Sequence, residues 1–440
     1  MGSVRKTPQY SGGVYVKVSY MKKQIFFLAG ALVVAVLAWG GVFYWQNLRG
    51  VGPALAPSPE DIADAPEATD TLPLNLPPGF SVSIFAKDLP GVRVIEQDWL
   101  GNFWVSQTSQ GVVSMLEVDE EGRVVTQTAI FKNLNKPHGI AIHYGDRAIY
   151  VAEEDKISRA GDVLNKIADL PAGGGHFTRT IGFGPEDRLY VSIGSSCSVC
   201  HEKDERRAAI YSMNKDGSDF RQHARGLRNS VFFDWSYVDG RMWATEMGRD
   251  LLGDDTPPDE INIIEEGGNY GWPICYGGNI HDGNFDKNVY VRNPCMEPFE
   301  TPSHIDIPAH SAPLGLAFIP EDPPSHEATA GHRPPSYEAT AGQGGWPEEY
   351  WYDLLVAYHG SWNRSVPTGY KVVRMKLDAE GNYEGVEDFV SGWLVPSGTE
   401  GLTSEGALGR PVDILIRPGG LAYITDDKAG VIYKVTYRGE

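Results

Sequence analysis

Short apolar runs separated by polar turns fill most of this chain, and one arrangement keeps returning: an apolar strand, a polar turn, then a strand rich in aromatic residues. It appears six times, at 94–107, 140–154, 181–194 and 232–248, across 314–320 and 352–360, and at 412–427. The second strands centre near Trp104, Tyr150, Tyr190, Trp243, Leu355 and Tyr423, and the first four are spaced by 46, 40 and 53 residues. Hairpin units repeating at roughly 40 to 50 residues predict the blades of a β-propeller. No long apolar stretch of helical period follows the N-terminal region, which argues against an α/β fold. The pattern predicts an all-β chain, a six-bladed β-propeller over residues 76–440 with long loops on one face.

The N-terminal pattern differs. Residues 1–24 carry Arg5, Lys6, Lys17, Lys22 and Lys23 and no acidic residue, and residues 25–45 carry no charge at all. At ~1.5 Å per residue that uncharged run spans about 30 Å, the depth of a bilayer core. The expectation is one N-terminal transmembrane helix at 25–45, with residues 1–24 as a short basic cytoplasmic tail. Ala54-Leu55-Ala56 has the small-x-small form of a signal-peptide cleavage site, but it lies well beyond the apolar run and Pro57 follows it, so an uncleaved anchor is expected. Met21-Lys22-Lys23 would itself serve as a start. Residues 46–75, rich in Pro, Ala, Asp and Glu, read as a flexible linker that places the propeller on the outer, periplasmic side of a cytoplasmic membrane. Residues 323–331 and 334–342 are near-copies with Pro-Pro pairs, and read as a duplicated loop insertion.

Charge narrows the partners. With 38 basic and 58 acidic residues, a net charge of −20, the chain lacks the basic face that nucleic acid requires. Cysteines stand at 197, 200, 275 and 295. An even count outside the cytoplasm predicts disulfides. Three pairings are possible, and proximity favours Cys197–Cys200 and Cys275–Cys295. Cys197-Ser198-Val199-Cys200-His201 also matches the attachment pattern of a c-type haem, but it follows directly on a propeller strand rather than sitting in a small helical domain, and no haem is expected.

Candidate chemistry concentrates at 226–277. Arg228-Asn229 precede an apolar-aromatic run; a strand then ends in Glu246-Met247-Gly248-Arg249-Asp250; Asp254, Asp255, Asp259 and Glu260 follow, and then Gly267-Gly268-Asn269-Tyr270-Gly271-Trp272-Pro273. Carboxylates this dense repel one another unless a cation sits among them, and hard oxygen ligands on a Gly/Pro-rich loop suit calcium. A solvated acidic loop is the plainer alternative. Upstream, Gly173-Gly174-Gly175-His176 stands just before the third blade. Such a histidine is either structural or, if Arg228 shares its face, a general base.

These motifs, Gly-x-Arg-Asn, Asp-Glu-x-Asn and Gly-x-Asn-Tyr-Gly-Trp-Pro in this order, resemble the glucose/sorbosone dehydrogenase family, soluble sugar dehydrogenases that use pyrroloquinoline quinone (PQQ). Departures elsewhere lean toward its L-sorbosone dehydrogenase branch. The resemblance implies His176 as catalytic base, Arg228 and Asn229 at the quinone, Ca²⁺ on the backbone carbonyls of Gly248 and Arg249, and a second calcium site at Glu260 and Tyr270. His138 stands where the family often has a glutamine. Arg364 is the candidate to replace a family lysine. Arg410 matches the first arginine of a closing Arg-x-Arg-Asp whose second arginine is missing here. The expected activity is oxidation of a sugar or aldehyde-like substrate, with electrons passed to a membrane quinone or a cytochrome. A calcium-dependent propeller lactonase or hydrolase and a non-catalytic sugar-binding propeller are the alternatives.

Overall fold

The computed structural model describes residues 30, 32–40, 73–298, 300–321, 345–394, 396–397, 401–402 and 406–439. Among them lie six four-stranded antiparallel sheets, the blades of a propeller. Blade 1 is β2 (Val92–Gln97), β3 (Phe103–Gln107), β4 (Val112–Val118) and β5 (Val124–Phe131); blade 2 is β6 (Ile140–His143), β7 (Ala148–Ala152), β8 (Lys156–Ala160) and β9 (Leu164–Asp169). Blade 3 is β10 (Ile181–Phe183), β11 (Leu189–Ile193), β12 (Ala209–Met213) and β13 (Arg221–Arg225). Blade 4 is β14 (Phe233–Trp235), β15 (Met242–Glu246), β16 (Asp259–Ile264) and β19 (Ile305–Ile307), with a small hairpin, β17 (Cys275–Tyr276) and β18 (Ile280–His281), between its last two strands. Blade 5 is β20 (Pro313–Phe318), β21 (Leu354–Tyr358), β22 (Lys371–Leu377) and β23 (Tyr383–Val390). Another hairpin, β24 (Pro396–Ser397) with β25 (Gly401–Leu402), precedes blade 6.

Blade 6 closes the ring. Its strands β26 (Pro411–Arg417), β27 (Leu421–Asp426) and β28 (Val431–Tyr437) take β1 (Phe80–Ala86) as their outer partner, in register from Phe80↔Tyr437. The first strands meet around the centre, β2 on β6, β6 on β10, β14 on β20, β20 on β26 and β26 on β2. All six aromatic-rich hairpin strands anticipated from the sequence are second strands of blades, and Trp104, Tyr150, Tyr190, Trp243, Leu355 and Tyr423 lie inside them. Strands β3, β7, β11, β15, β21 and β27 are buried at every position. Each is covered on both faces by neighbouring blades, so it lacks the inside–outside alternation of a half-exposed strand, although buried polar residues such as Gln107, Thr245, Glu246 and Asp426 stand at the ends of some of them. Trp243 and Phe318 make such an inter-blade contact, edge to face with ring centroids 5.6 Å apart. Both expected disulfides are present, Cys197–Cys200 and Cys275–Cys295.

In the segment expected to span a membrane, residues 30 and 32–40 are helical and exposed, and among the described residues no helix is long and apolar enough to cross a membrane. The rest of 25–45, the basic tail, most of the linker and the duplicated insertion at 323–342 lie outside the described residues.

In an antiparallel four-stranded blade, the chain entering the first strand and the loop joining the second to the third lie at the same end. His138, His176, Arg228 and Arg410 precede first strands; the 194–208, 247–258 and 359–370 segments join second to third strands. The fold therefore gathers nearly every candidate onto one face.

Candidate active site

A cavity of about 360 Å³ opens on that face, and its walls include His176, Cys197, Ser198, Arg228, Gly248 and Asp250. Ligand clefts for small molecules begin at about 300 Å³.

His176 Nδ1 lies 2.9 Å from both the carbonyl and the hydroxyl oxygen of Ser195. That hydroxyl donates its proton to the Cys197 carbonyl, 2.6 Å away, so it can only accept from the ring. The proton therefore sits on Nδ1, and Nε2 keeps its lone pair for the cavity. Burial, reinforced by the Arg228 guanidinium, pushes the imidazole down to about 3, so the ring is neutral at physiological pH. Gly194 makes the approach possible: a Cβ there would meet Asn229 Oδ1 at 2.5 Å and His176 Cβ at 2.6 Å. Gly174, at φ +90°, packs on Ser196, so its freedom serves the loop and not a ligand.

Arg228 is 5 % exposed. Its Nε donates to Ser198 O at 2.8 Å, one terminal nitrogen to Met247 O at 3.2 Å, and the other to Asp250 Oδ2 at 2.8 Å. Burial lowers its pKa, partly offset by Asp250. Asn229 follows on the same turn, its backbone N–H bound to Glu246 Oε1 at 2.9 Å and its side-chain amide 3.3 Å from Met247 Sδ.

The carboxylates separate into two sets. Asp254 accepts from the Ser365 N–H at 3.0 Å and Asp255 pairs with Arg364 at 2.7 Å, so these two fasten the acidic loop to blade 5. The inner set is Glu246, Asp259 and Glu260, all buried. Asp259 accepts the N–H groups of Gly248 and Ala312, each at 2.8 Å, and Glu260 those of Gly277 and the Asn262 side chain at 2.6 and 2.9 Å. Burial pushes both up to about 7, and Glu246 well above the usual carboxylate range, where Glu260 adds repulsion. Glu246 Oε2 is buried without a hydrogen-bond partner. Beside it is a second, small cavity of about 20 Å³, lined by Glu246, Gly248, Arg249, Glu260, Tyr270 and Asp282 among others. An unpartnered acceptor facing acidic and backbone oxygens is the environment of a cation, so these residues fit a calcium ion.

Five candidates are placed differently from Arg228. His138 is fully buried, with its ring 5.4 Å from Phe232, and is not on the cavity wall. Arg364 reaches Asp255 and the Ala309 carbonyl. Arg410 spends its guanidinium on the carbonyls of His359 and Gly360 and stacks 5.5 Å from the Tyr370 ring. The Tyr270 hydroxyl donates to Ile263 O at 2.6 Å and accepts from the Glu265 N–H at 2.9 Å, locking the turn that carries it. The Arg249 side chain pairs with buried Asp282 at 2.6 Å.

Two features of the face escaped the motifs. Glu246, Ser195 and Ser198 carry the closest support of Asn229, His176 and Arg228, yet are ordinary residues at strand ends or in a loop. A second group, Arg93–Asp427–His359, joins blades 1, 6 and 5, with contacts of 2.6 and 2.9 Å. Burial alone would raise the Asp427 carboxyl, but His359 and Arg93 hold it below the usual range. The Gly-Asn-Tyr-Gly-Trp-Pro run climbs along β13, where Arg225 bonds Gly268 O and the Tyr270 N–H at 3.0 Å, and so brings Trp272 to the loop of Ser198.

A family model described as TrAA12-like matches residues 74–438. An uncharacterized protein of Borreliella burgdorferi is 31% identical over 396 residues, covering 85% of this chain and 93% of the relative. The PQQ domain of pyranose dehydrogenase from Coprinopsis cinerea, in its holo form, superimposes with a TM-score of 0.65 at 19% identity, covering 85% of this chain and 98% of that one. A calcium structure of a Trichoderma reesei carbohydrate-active enzyme of family AA12 gives a TM-score of 0.66 at 18% identity, over 84% and 98% of the two chains. At these identities the two structures speak for the shared fold.

Proposed function

The chain belongs to the TrAA12-like family, and from there we propose that it is a PQQ-dependent dehydrogenase that oxidises a sugar or aldehyde-like substrate. The observation that carries this reading is a neutral imidazole and a buried guanidinium on the walls of one cavity large enough for a small ligand. Oxidising a hemiacetal or aldehyde hydrate removes a hydroxyl proton and a hydride from one carbon, and no side chain accepts a hydride. PQQ, when bound, supplies the hydride acceptor. His176 Nε2 takes the hydroxyl proton, and its Nδ1–H, held by Ser195, keeps the ring aimed. Arg228 offers positive charge where negative charge develops, and its bonds to Ser198, Met247 and Asp250 hold it there without reorganisation. Asn229 and the Gly248 and Arg249 backbone would complete the quinone and calcium contacts, and Glu246 and Glu260 would supply carboxylate oxygens for calcium.

Reconstitution with PQQ and Ca²⁺ tests the reading. The protein is expected to gain near-ultraviolet and visible absorbance that bleaches on adding an aldose or aldehyde. A protein that stays colourless, or whose bands no sugar or aldehyde bleaches, would sink the proposal in favour of a hydrolase or a sugar-binding propeller.

We also propose that residues 25–45 anchor the enzyme in the cytoplasmic membrane with the propeller outside, from where it would reduce a membrane quinone or a cytochrome. The uncharged run and the basic residues before it support this. Protease added to intact spheroplasts should digest the propeller, and full protection would overturn the topology.

A further inference from the structure

The loop between β11 and β12 supports both reactive side chains. Ser195 holds His176, and three residues later Ser198 holds Arg228. Four bonds besides the one from Arg228 Nε converge on Ser198. Its carbonyl also accepts from Trp272 Nε1 at 3.3 Å. Its hydroxyl donates to Asp250 Oδ2 at 3.0 Å, and accepts from the Asp250 N–H at 3.0 Å and from the Arg228 guanidinium at 3.3 Å. Asp250 in turn holds Arg228 at 2.8 Å. Ser198 is thus the joint between the guanidinium, its carboxylate partner and the Trp272 turn. The Cys197–Cys200 disulfide closes a ring around this residue, and Cys197 itself is on the cavity wall. Both of these cysteines are partly exposed, whereas Cys275 and Cys295 are 7 % and 1 % exposed.

We propose that Ser198 is a positioning residue for Arg228, and that the Cys197–Cys200 disulfide holds it in place, so that a dithiol reductant disables the site. In that step the dithiol gives two electrons and two protons, becomes a disulfide itself, and leaves Cys197 and Cys200 as free thiols. The released loop no longer presents the Ser198 carbonyl and hydroxyl together, and Arg228 keeps only Met247 O and a less constrained Asp250. The consequence for the quinone rests on the function proposed above; the positioning of Arg228 does not.

The test separates the two. Cofactor-free protein is treated with phenylglyoxal, which condenses with accessible guanidinium groups, and labelling is mapped by peptide mass spectrometry. Arg179, fully buried and bound to the Pro171, His176 and Thr178 carbonyls, is the internal control for general loosening. In Ser198→Ala, and in wild type reduced with dithiothreitol, Arg228 should label at least ~10-fold faster while Arg179 stays protected, since each lost charge-assisted bond is worth about a factor of ten or more. Ser198→Thr, which keeps the hydroxyl, should behave as wild type. The double variant Cys275→Ser/Cys295→Ser should keep the response to dithiothreitol. The affinity for PQQ, read by tryptophan quenching, should fall about tenfold in the same two cases. Continued protection of Arg228 in both Ser198→Ala and the reduced protein overturns the proposal, as does labelling of Arg179 along with it. If Arg228 responds as expected but the oxidised wild type binds no PQQ, the positioning role stands and the quinone function falls.

Discussion

Replacing His176 by alanine should lower turnover by at least ~100-fold, the lower range of general-base contributions, while PQQ still binds. The separation follows from the geometry. His176 is tied to blade 3 through Ser195, whereas Arg228 and Asn229 are tied to the Cys197–Cys200 loop and to β15 through contacts that do not pass through the imidazole. Alanine removes a neutral imidazole from the cavity wall and leaves the guanidinium in place. Single-turnover kinetics on PQQ-loaded protein measure this directly. If the variant loses the cofactor but its loaded fraction turns over at the wild-type rate, His176 is not the base.

Calcium should matter for stability in a pH-dependent way. Asp259 and Glu260 are pushed up to about 7 by burial, and burial also holds Glu246 well above the usual carboxylate range. Their unfolded values lie near 4, so the folded state holds the extra protons. That contribution is complete below about pH 4 and is lost as pH rises through about 7, which makes metal-free protein less stable at pH 8 than at pH 5. A cation bound only by the folded state offsets the loss, by about 2.7 kcal/mol at a hundredfold excess over its dissociation constant. Chelator should therefore abolish activity and lower Tm, and calcium should restore both better than magnesium, which tolerates irregular oxygen cages poorly. The gain in Tm with calcium should be larger at pH 8 than at pH 5. Glu246→Gln, which replaces the unpartnered oxygen with a neutral isostere, should raise the Tm of metal-free protein at pH 8 and shrink the gain from calcium. Glu260→Gln should weaken calcium stabilisation more than quinone binding. Equal melting curves with and without chelator at both pH values would rule out an ion among these carboxylates.

How much was legible in the sequence can be judged from particular residues. His176, Arg228 and Asn229 were recognisable because the motifs around them resemble those of a known family, and each lies a few residues before a first strand, a position that a propeller brings to one face. Ser198 and Glu246 were not, because nothing in their neighbours announces that Arg228 and Asn229 will dock on them from 30 and 17 residues away. The dense acidic run suggested one cation cage. In the fold, Asp254 and Asp255 turn outward to Ser365 and Arg364, more than 100 residues along the chain, and Glu246 joins Asp259 and Glu260 instead. Arg364 and Arg410 are expected at the cofactor from the resemblance; in the structure Arg364 bonds Asp255 and the Ala309 carbonyl, and Arg410 the His359 and Gly360 carbonyls.

The sequence by itself determined the blades, their number and the end of the ring at which chemistry would gather, because strand pattern, turn residues and repeat length are local properties of the chain. Only the tertiary structure decided which carboxylates are buried, which arginine keeps its charge at the cavity, and which nitrogen of His176 carries the proton. Those depend on desolvation and on hydrogen bonds between loops that ring closure brings together, and neither quantity exists until β1 has paired with β28 and the six blades have met.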